Sequence, residues 1–404
     1  MTHFMMKRRA LLLATCLVAG TLALGVQSAA AEEPIRIGFA VAESGWMANY
    51  DSAPFKAAVL KIEEINKSGG LLGRQIEYEV RDTKTEREGS ATAGQELVAS
   101  GIDFLVVSGD YDFGAPAALA AASASIISFS SIAGDAKMGA QGVGPLAFTG
   151  ISAAQTEGIA MAQWAATQNY KTAYILTDTL IQYTKSVSSG FRFGWAQTAG
   201  EGALLGEDTF VNSDASIASQ ITRIKQLPEQ PDVIFLSSVT PGGASAVRQL
   251  RAAGIEQPIL SNTAMSDNYW LDAAPGLNGF YVPALMSLYG DDPRPELNAF
   301  VEAFKARWNE PPVTSYAIAG YSMIEQWAHA VEKAGTTETQ AVVDVLNSFT
   351  DEPFTIGPTT FTADIHIQLN RPFLVMEARA DSFHSVEVFR SSIVPTMQQL
   401  LTVN

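Results

Sequence analysis

The sequence predicts an α/β protein of two lobes, each built on a mostly parallel sheet with helices on both faces. Three observations carry that expectation. Setting aside the first 31 residues leaves about 370, enough for two domains that each bury a core. Short apolar strands alternate with apolar residues at helical spacing, the pattern of parallel sheets covered by helices. The alternation breaks near residue 150 and then begins again.

In the first array Ile35–Val41 is a short apolar strand. Phe55, Val59, Ile62 and Asn66 follow at helical spacing, and Gly69-Gly70 stops that helix. Ile76–Val80 alternates as a strand, Glu86–Ala99 reads as a helix, and Phe104–Ser108 is a continuous apolar strand. An alanine-rich helix over Ala115–Ala124 and a buried strand over Ile126–Phe129 complete the array. The second array has helices over Glu157–Gln168, Ser186–Ala199, Ala215–Gln226 and Gly243–Ala253. Its strands fall at Thr172–Leu176, Leu205–Phe210 and Val233–Leu236. Two such Rossmann-like lobes place ligands beyond the carboxyl ends of their strands. Six loops then face one cavity: Ala42–Asp51, Gly109–Gly114, Ser130–Gly134, Asp178–Lys185, Ser237–Gly243 and Ser261–Asn268. The apolar stripe Leu297, Phe300, Phe304 and Trp308, and a long helix over Ser315–Lys333, are expected to return to the first lobe.

The N-terminus has the order of an export signal. Lys7, Arg8 and Arg9 precede the apolar run Ala10–Val26, and Ala29-Ala30-Ala31 supplies a cleavage site before Glu32. The general and twin-arginine export routes both remain open, and a periplasmic location is expected. The whole chain carries 26 basic and 42 acidic side chains, a net charge of −16; without the three basic residues of the signal it becomes −19. So acidic a surface disfavours nucleic acid, whose phosphates need a basic footprint, and anionic membrane surfaces. The single cysteine, Cys16, lies in the signal, so no disulfide is expected.

Several stretches, taken in order, resemble periplasmic binding proteins of the branched-chain amino acid type. They are Ile35-Arg36-Ile37-Gly38, Ser44-Gly45, Ala48-Asn49-Tyr50, Ile62–Asn66 and Gly69–Ile76, then Arg81-Asp82-Thr83, Asp178–Tyr183, Pro231–Phe235, Leu250–Ile255 and Tyr316–Gly335. The resemblance covers nearly all of the chain after the signal. It implies a type I periplasmic binding protein: two lobes joined by three crossover strands, residues 32–150 and 284–357 forming one lobe and 151–283 and 358–404 the other. It implies further the monomeric receptor of an ATP-driven importer, partnered by a membrane permease and carrying no cofactor or metal. Carried over position by position, Tyr50, Tyr111, Asp112, Phe113, Ile132, Ala133, Gly134 and Tyr316 fall at first-lobe contacts. Tyr183, Val239 or Thr240, and Asn262 fall at those of the second lobe. Ser131 and Thr263 join them from the same loops.

The departures from the family pattern bear on the ligand. Receptors of this type present a small hydroxyl residue in the third loop and an acid in the sixth. Here the loop after the third strand reads Gly109-Asp110-Tyr111-Asp112-Phe113-Gly114, and the sixth loop opens Ser261–Met265 with no acid at the matching place. Asp267 either reaches in from further along or caps a helix near Tyr269. Asp110 and Asp112 either accept bonds from an amine, amide or hydroxyl, or are solvent-facing turn residues. Trp46, Tyr50, Tyr111, Phe113 and Tyr183 crowd the same loops, which favours a hydrophobic or aromatic solute. Trp195, Trp270 and Trp327 are expected in the core.

An enzyme finds little support. His329, His366 and His384 lie in unrelated segments with no metal-ligand spacing, and Gly139–Gly144 lacks the lysine of a phosphate loop. A ligand sensor feeding a regulator is the other alternative, since the fold alone does not choose the partner. Hinge closure is expected, with flexible points at Phe148–Ser152, Gly279–Ala284 and Gly357–Phe361.

Overall fold

The computed structural model describes residues 33–380 and 382–402; the export signal expected over residues 1–31 lies outside the described residues. The first array runs β1 (Ile35–Val41), α1 (Ala48–Lys67), β2 (Ile76–Asp82), α2 (Arg87–Ser100), β3 (Phe104–Val107), α3 (Tyr111–Ser123), β4 (Ile127–Ser130) and β5 (Ala147–Thr149). Its strands pair in parallel in the order β2-β1-β3-β4-β5. β3 and β4 are buried at every position, as apolar strands between two helical layers must be.

The second array runs α4 (Ala154–Thr167), β6 (Ala173–Asp178), α5 (Gln182–Thr198), β7 (Leu204–Phe210), α6 (Ala218–Lys225), β8 (Val233–Ser237), α7 (Gly242–Ala252), β9 (Ile259–Leu260) and β10 (Leu277–Ala284). The order β7-β6-β8-β9-β10 repeats that of the first sheet place for place. The chain then returns through α8 (Pro295–Trp308), α9 (Ala317–Ala334), α10 (Thr339–Leu346) and the small hairpin β11 (Glu352–Phe354) and β12 (Gly357–Thr359). It ends with β13 (Phe373–Ala380), β14 (Ser382–Phe389) and α11 (Met397–Leu401). β13 and β14 extend the second sheet antiparallel beyond β10.

Helix α9 packs on the first sheet, where Trp327 stacks on Phe104 with ring centroids 4.5 Å apart. Trp195, Trp270 and Trp327 are all buried, as their helical context predicts. Two of the three crossovers run side by side. Gln368 donates its amide to Ile151 and accepts that of Ala153, and the Thr149 amide donates to the His366 carbonyl. The buried Arg371 clamps them, donating to the Gly150 carbonyl and the Thr359 hydroxyl at 2.8 Å each. His366 stacks flat on Phe148 at 3.8 Å, a packing role; burial pushes its pKa down to about 4.

Three expectations need correction. Helices α3 and α5 begin at Tyr111 and Gln182, several residues before the expected Ala115 and Ser186. The Asp110 carboxylate caps α3 by accepting the Asp112 amide, and that cap outweighs the helix-breaking appearance of Gly114 and Pro116. Gly279–Ala284 is no hinge but the body of β10, held between β9 and β13; the chain leaves the sheet after Ala284. Beyond it, the sequence pattern predicts that the carboxylate pair Asp291/Asp292, in a Pro-rich loop, is solvated; Asp292 is instead buried, its oxygens accepting the Ser287 amide and the Arg294 guanidinium.

Candidate functional site

Strands of a parallel sheet end in the same direction, so the loops after β1, β3 and β4 gather at one edge of the first sheet. Those after β6, β8 and β9 gather likewise on the second. In each lobe one buried aspartate ties these loops together. Asp51 accepts the Ala42 and Gly109 amides at 2.8 Å each and the Ser108 hydroxyl at 2.6 Å, joining the loops after β1 and β3. Asp178 accepts the Leu180 amide, the Ser238 hydroxyl and the Asn212 amide group, joining those after β6 and β8.

All six loops line one pocket, with about 460 Å³ of space not filled by atoms, part of it open to solvent. The first lobe supplies Trp46, Met47, Tyr50, Gly109, Asp110, Tyr111, Ile132, Gly134 and Asp135; the second supplies Ile181, Gln182, Tyr183, Val239 and Ala264. Tyr316, just before α9, completes the wall. The rings meet edge to face: Trp46 lies 6.2 Å from Tyr50 and 5.7 Å from Phe113, and Tyr50 lies 6.5 Å from Tyr316. Such contacts hold each ring in a defined orientation at about 0.5–1.5 kcal/mol apiece.

Hydroxyls join the lobes across this pocket. The Tyr50 hydroxyl accepts the Thr240 amide at 3.1 Å and shares a proton with the Thr240 hydroxyl at 3.0 Å, which in turn meets that of Tyr269 at 2.7 Å. Tyr183 donates to Glu157 Oε2 at 2.8 Å, so Asn262 Nδ2 at 3.1 Å and the Tyr316 hydroxyl at 3.3 Å donate to Tyr183 in return. Burial raises the phenol pKa of Tyr50, Tyr183 and Tyr316 above the ordinary value, so all three stay neutral donors.

Three carboxyls at or behind the pocket are pushed up to about 7, in each case chiefly by burial. Asp110 is raised further by the neighbouring Asp112. Glu157 accepts the Thr263 amide and the Tyr183 hydroxyl through Oε2, while Oε1 is buried without a hydrogen bond. Asp267 is wholly buried and neither of its oxygens is engaged in a hydrogen bond, although the nearby Thr314 and Tyr269 hydroxyls offset part of its burial.

Of the residues singled out in the sequence, Trp46, Tyr50, Asp110, Tyr111, Ile132, Gly134, Tyr183, Val239 and Tyr316 line the pocket. The remainder stand behind it. Phe113 backs Trp46, and Asp112 turns away to pair with Arg87 at 2.5 Å. Ser131 and Ala133 are buried in the loop after β4, where the Ala133 amide donates to Ser130. Thr240 links the lobes beside Val239. Asn262 braces Ser238 and Tyr183, and Thr263 serves Glu157. The two aspartates therefore divide: Asp110 faces the pocket and Asp112 does not. Asp267 neither lines the pocket nor caps a helix; it lies behind Tyr269 among the groups that join the lobes. Glu157 was missed altogether. Its signal is faint, a lone acid in the otherwise uncharged stretch Ile151–Ala162.

The sequence profile of the family described as periplasmic binding protein matches residues 34–382. A Leu/Ile/Val-binding protein of Rhizobium johnstonii is 24% identical over 345 residues, covering 84% of this chain and 90% of its own. The branched-chain amino acid transporter substrate-binding protein LivJ of Streptococcus pneumoniae, solved with isoleucine, superposes with a TM-score of 0.77 at 25% identity, covering 90% of this chain and 100% of its own. A solute-binding protein from R. palustris, solved with benzoate, shares the fold with a TM-score of 0.73 at 19% identity, covering 91% and 98%. With the repeated sheet order, the paired crossovers and a pocket at the facing strand tips, these likenesses agree on one conclusion: the chain belongs to the periplasmic binding protein family, in its two-lobed type I architecture.

Proposed function

We propose that the chain is the extracytoplasmic receptor of an ATP-driven importer: an exported monomer that closes on one small solute and presents it to a membrane permease. The solute has a hydrophobic or aromatic body, the class that includes branched-chain amino acids and aromatic acids. Residues 32–150 with 284–357 form one gripping lobe, and 151–283 with 358–404 the other. The observation that carries this reading is one pocket lined by six strand-tip loops from both sheets, its walls dominated by rings and aliphatic groups. Relatives named for Leu, Ile and Val, and fold neighbours solved with isoleucine or benzoate, support a solute of this size.

Magnitudes divide the task between walls and head group. Enclosing a phenyl or isobutyl body removes roughly 150 Å² of apolar surface from water, worth about 4 kcal/mol. That corresponds to millimolar affinity, so a micromolar receptor needs about as much again from its polar contacts. Thermal unfolding of the mature chain, screened against branched and aromatic amino acids, aromatic acids, amides and amines, tests the reading. A ligand at a hundred times its Kd should raise the Tm by about 3–4 °C. A folded protein that no member shifts at about 10 mM would refute the proposal.

A further inference from the structure

The place where a ligand carboxylate would be most welcome is already filled. The first turn of α3 lies at the pocket edge, where Asp110 and Tyr111 line it, and a helix N-terminus is a natural anion site. The chain's own Asp110 occupies it, accepting the Asp112 amide through Oδ1 at 2.8 Å. Asp110 lines the pocket at 7% exposure, and among the described residues no hydrogen bond or ion pair reaches its other carboxylate oxygen. Other amide donors around the site are taken by the chain itself: Ala42 and Gly109 by Asp51, Ala133 by Ser130, Thr240 by Tyr50 and Thr263 by Glu157.

The charges agree. Asp51, Asp112 and Asp135 all bear on Asp110 with the same sign. Arg87 is committed to Asp112 at 2.5 Å, and Lys137 lies 3.4 Å from Asp135 with its ammonium over the Tyr111 ring at 4.8 Å. No lysine, arginine or histidine is among the lining residues, and behind the second-lobe wall stand two more acids, Glu157 and Asp267. Aromatic faces attract cations and give nothing to anions.

We propose that the solute carries an ammonium group and no carboxylate, its ammonium received by the free oxygen of Asp110 and its apolar body enclosed by Trp46, Tyr50, Tyr183 and Tyr316. This rests on the receptor reading above and specifies its solute as a small alkyl- or arylalkylammonium ion. Burial holds the Asp110 carboxyl up at about 7, so the unliganded pocket carries a proton there near neutrality. An ammonium expels that proton, whereas a carboxylate would require it to stay.

Calorimetric titration of the mature chain with matched sets tests the inference: phenethylamine, phenylalanine and 3-phenylpropionate, then isopentylamine, leucine and 4-methylpentanoate. The amine of each set is expected to bind at least tenfold tighter than its zwitterion or acid, to bind more tightly as pH rises from 6 to 8, and to release a proton. Asp110→Asn keeps a competent helix cap, and should lower amine affinity at least tenfold and abolish the proton release while changing the Tm little. Tighter binding of an acid or zwitterion overturns the inference, as does undiminished amine binding by a folded Asp110→Asn; if that variant does not fold, the matched sets on the unaltered chain decide. If leucine or an aromatic acid binds and the amines do not, the head-group assignment alone falls. Silence of every ligand removes the receptor reading with it.

Discussion

Glu157 stands in the first turn of a helix buried on nearly every side, and its carboxyl is met by two donors on one oxygen and none on the other. Burial lifts it from an ordinary 4.5 to about 7. Between those values the folded chain holds a proton that the unfolded chain has released. The contribution of Glu157 to stability is therefore full below pH 4.5, declines as pH rises, and is lost above about 7. Glu157→Gln removes the titration, and its stability-versus-pH curve between 5 and 7 should be flatter than that of the unaltered chain by up to about 1.4 kcal/mol per pH unit. Urea unfolding at four or five pH values measures this, and parallel curves would mean that Glu157 titrates normally. Such a residue is hardly legible in a sequence: a carboxylate becomes informative only when its burial is known, and burial comes from the helix packed opposite.

That opposing helix is α5, and the approach of the pair is set by two glycines. A Cβ at Gly190 would stand 2.0 Å from the Gln155 carbonyl oxygen, and one at Gly158 would stand 2.1 Å from that of Val187. Both obstacles are backbone, so neither can swing aside. Because Glu157 rides on α4 and Tyr183 on α5, this close crossing also places the 2.8 Å bond between them. Gly190→Ala should cost about 2–3 kcal/mol in urea unfolding, while Gly202→Ala, with open space around it, should change stability by less than about 0.5 kcal/mol. Equal effects at the two sites would show that the helices can separate freely. At this scale the strands and most helices were readable from periodicity. The starts of α3 and α5 were not: that of α3 depends on one capping side chain rather than on a repeating pattern, and α5 begins after Ile181 with no side-chain cap to mark it.

For the whole molecule the decisive contacts are those between lobes: Tyr50 with Thr240, Tyr183 with Tyr316, and Ser266 with Ser315 at 3.0 Å. Two of these three belong to pocket-lining tyrosines, so the proposed closure and ligand enclosure would draw on the same groups. Thr240→Val keeps the shape of the side chain but removes the hydroxyl that meets both Tyr50 and Tyr269. Without ligand the variant should show a larger radius of gyration in small-angle scattering than the unaltered chain. Saturating ligand should compact both, with binding by the variant about tenfold weaker. Identical scattering profiles for the two unliganded proteins would place the determinants of closure elsewhere, at the crossovers clamped by Arg371.

By itself the amino-acid sequence determined the alternation of strands and helices, the two arrays, the six strand-tip loops and the aromatic character of the cleft, because each follows from short-range patterns of apolar side chains. It did not reveal that both sheets share one strand order, since unrelated residues satisfy the same alternation. Tertiary structure alone decided that Asp110 faces the pocket while Asp112 turns to Arg87, and that Glu157 and Asp267 lie buried behind it. The reason is physical: a carboxylate's role depends on the solvent and partners around it, and here those come from segments distant in the chain.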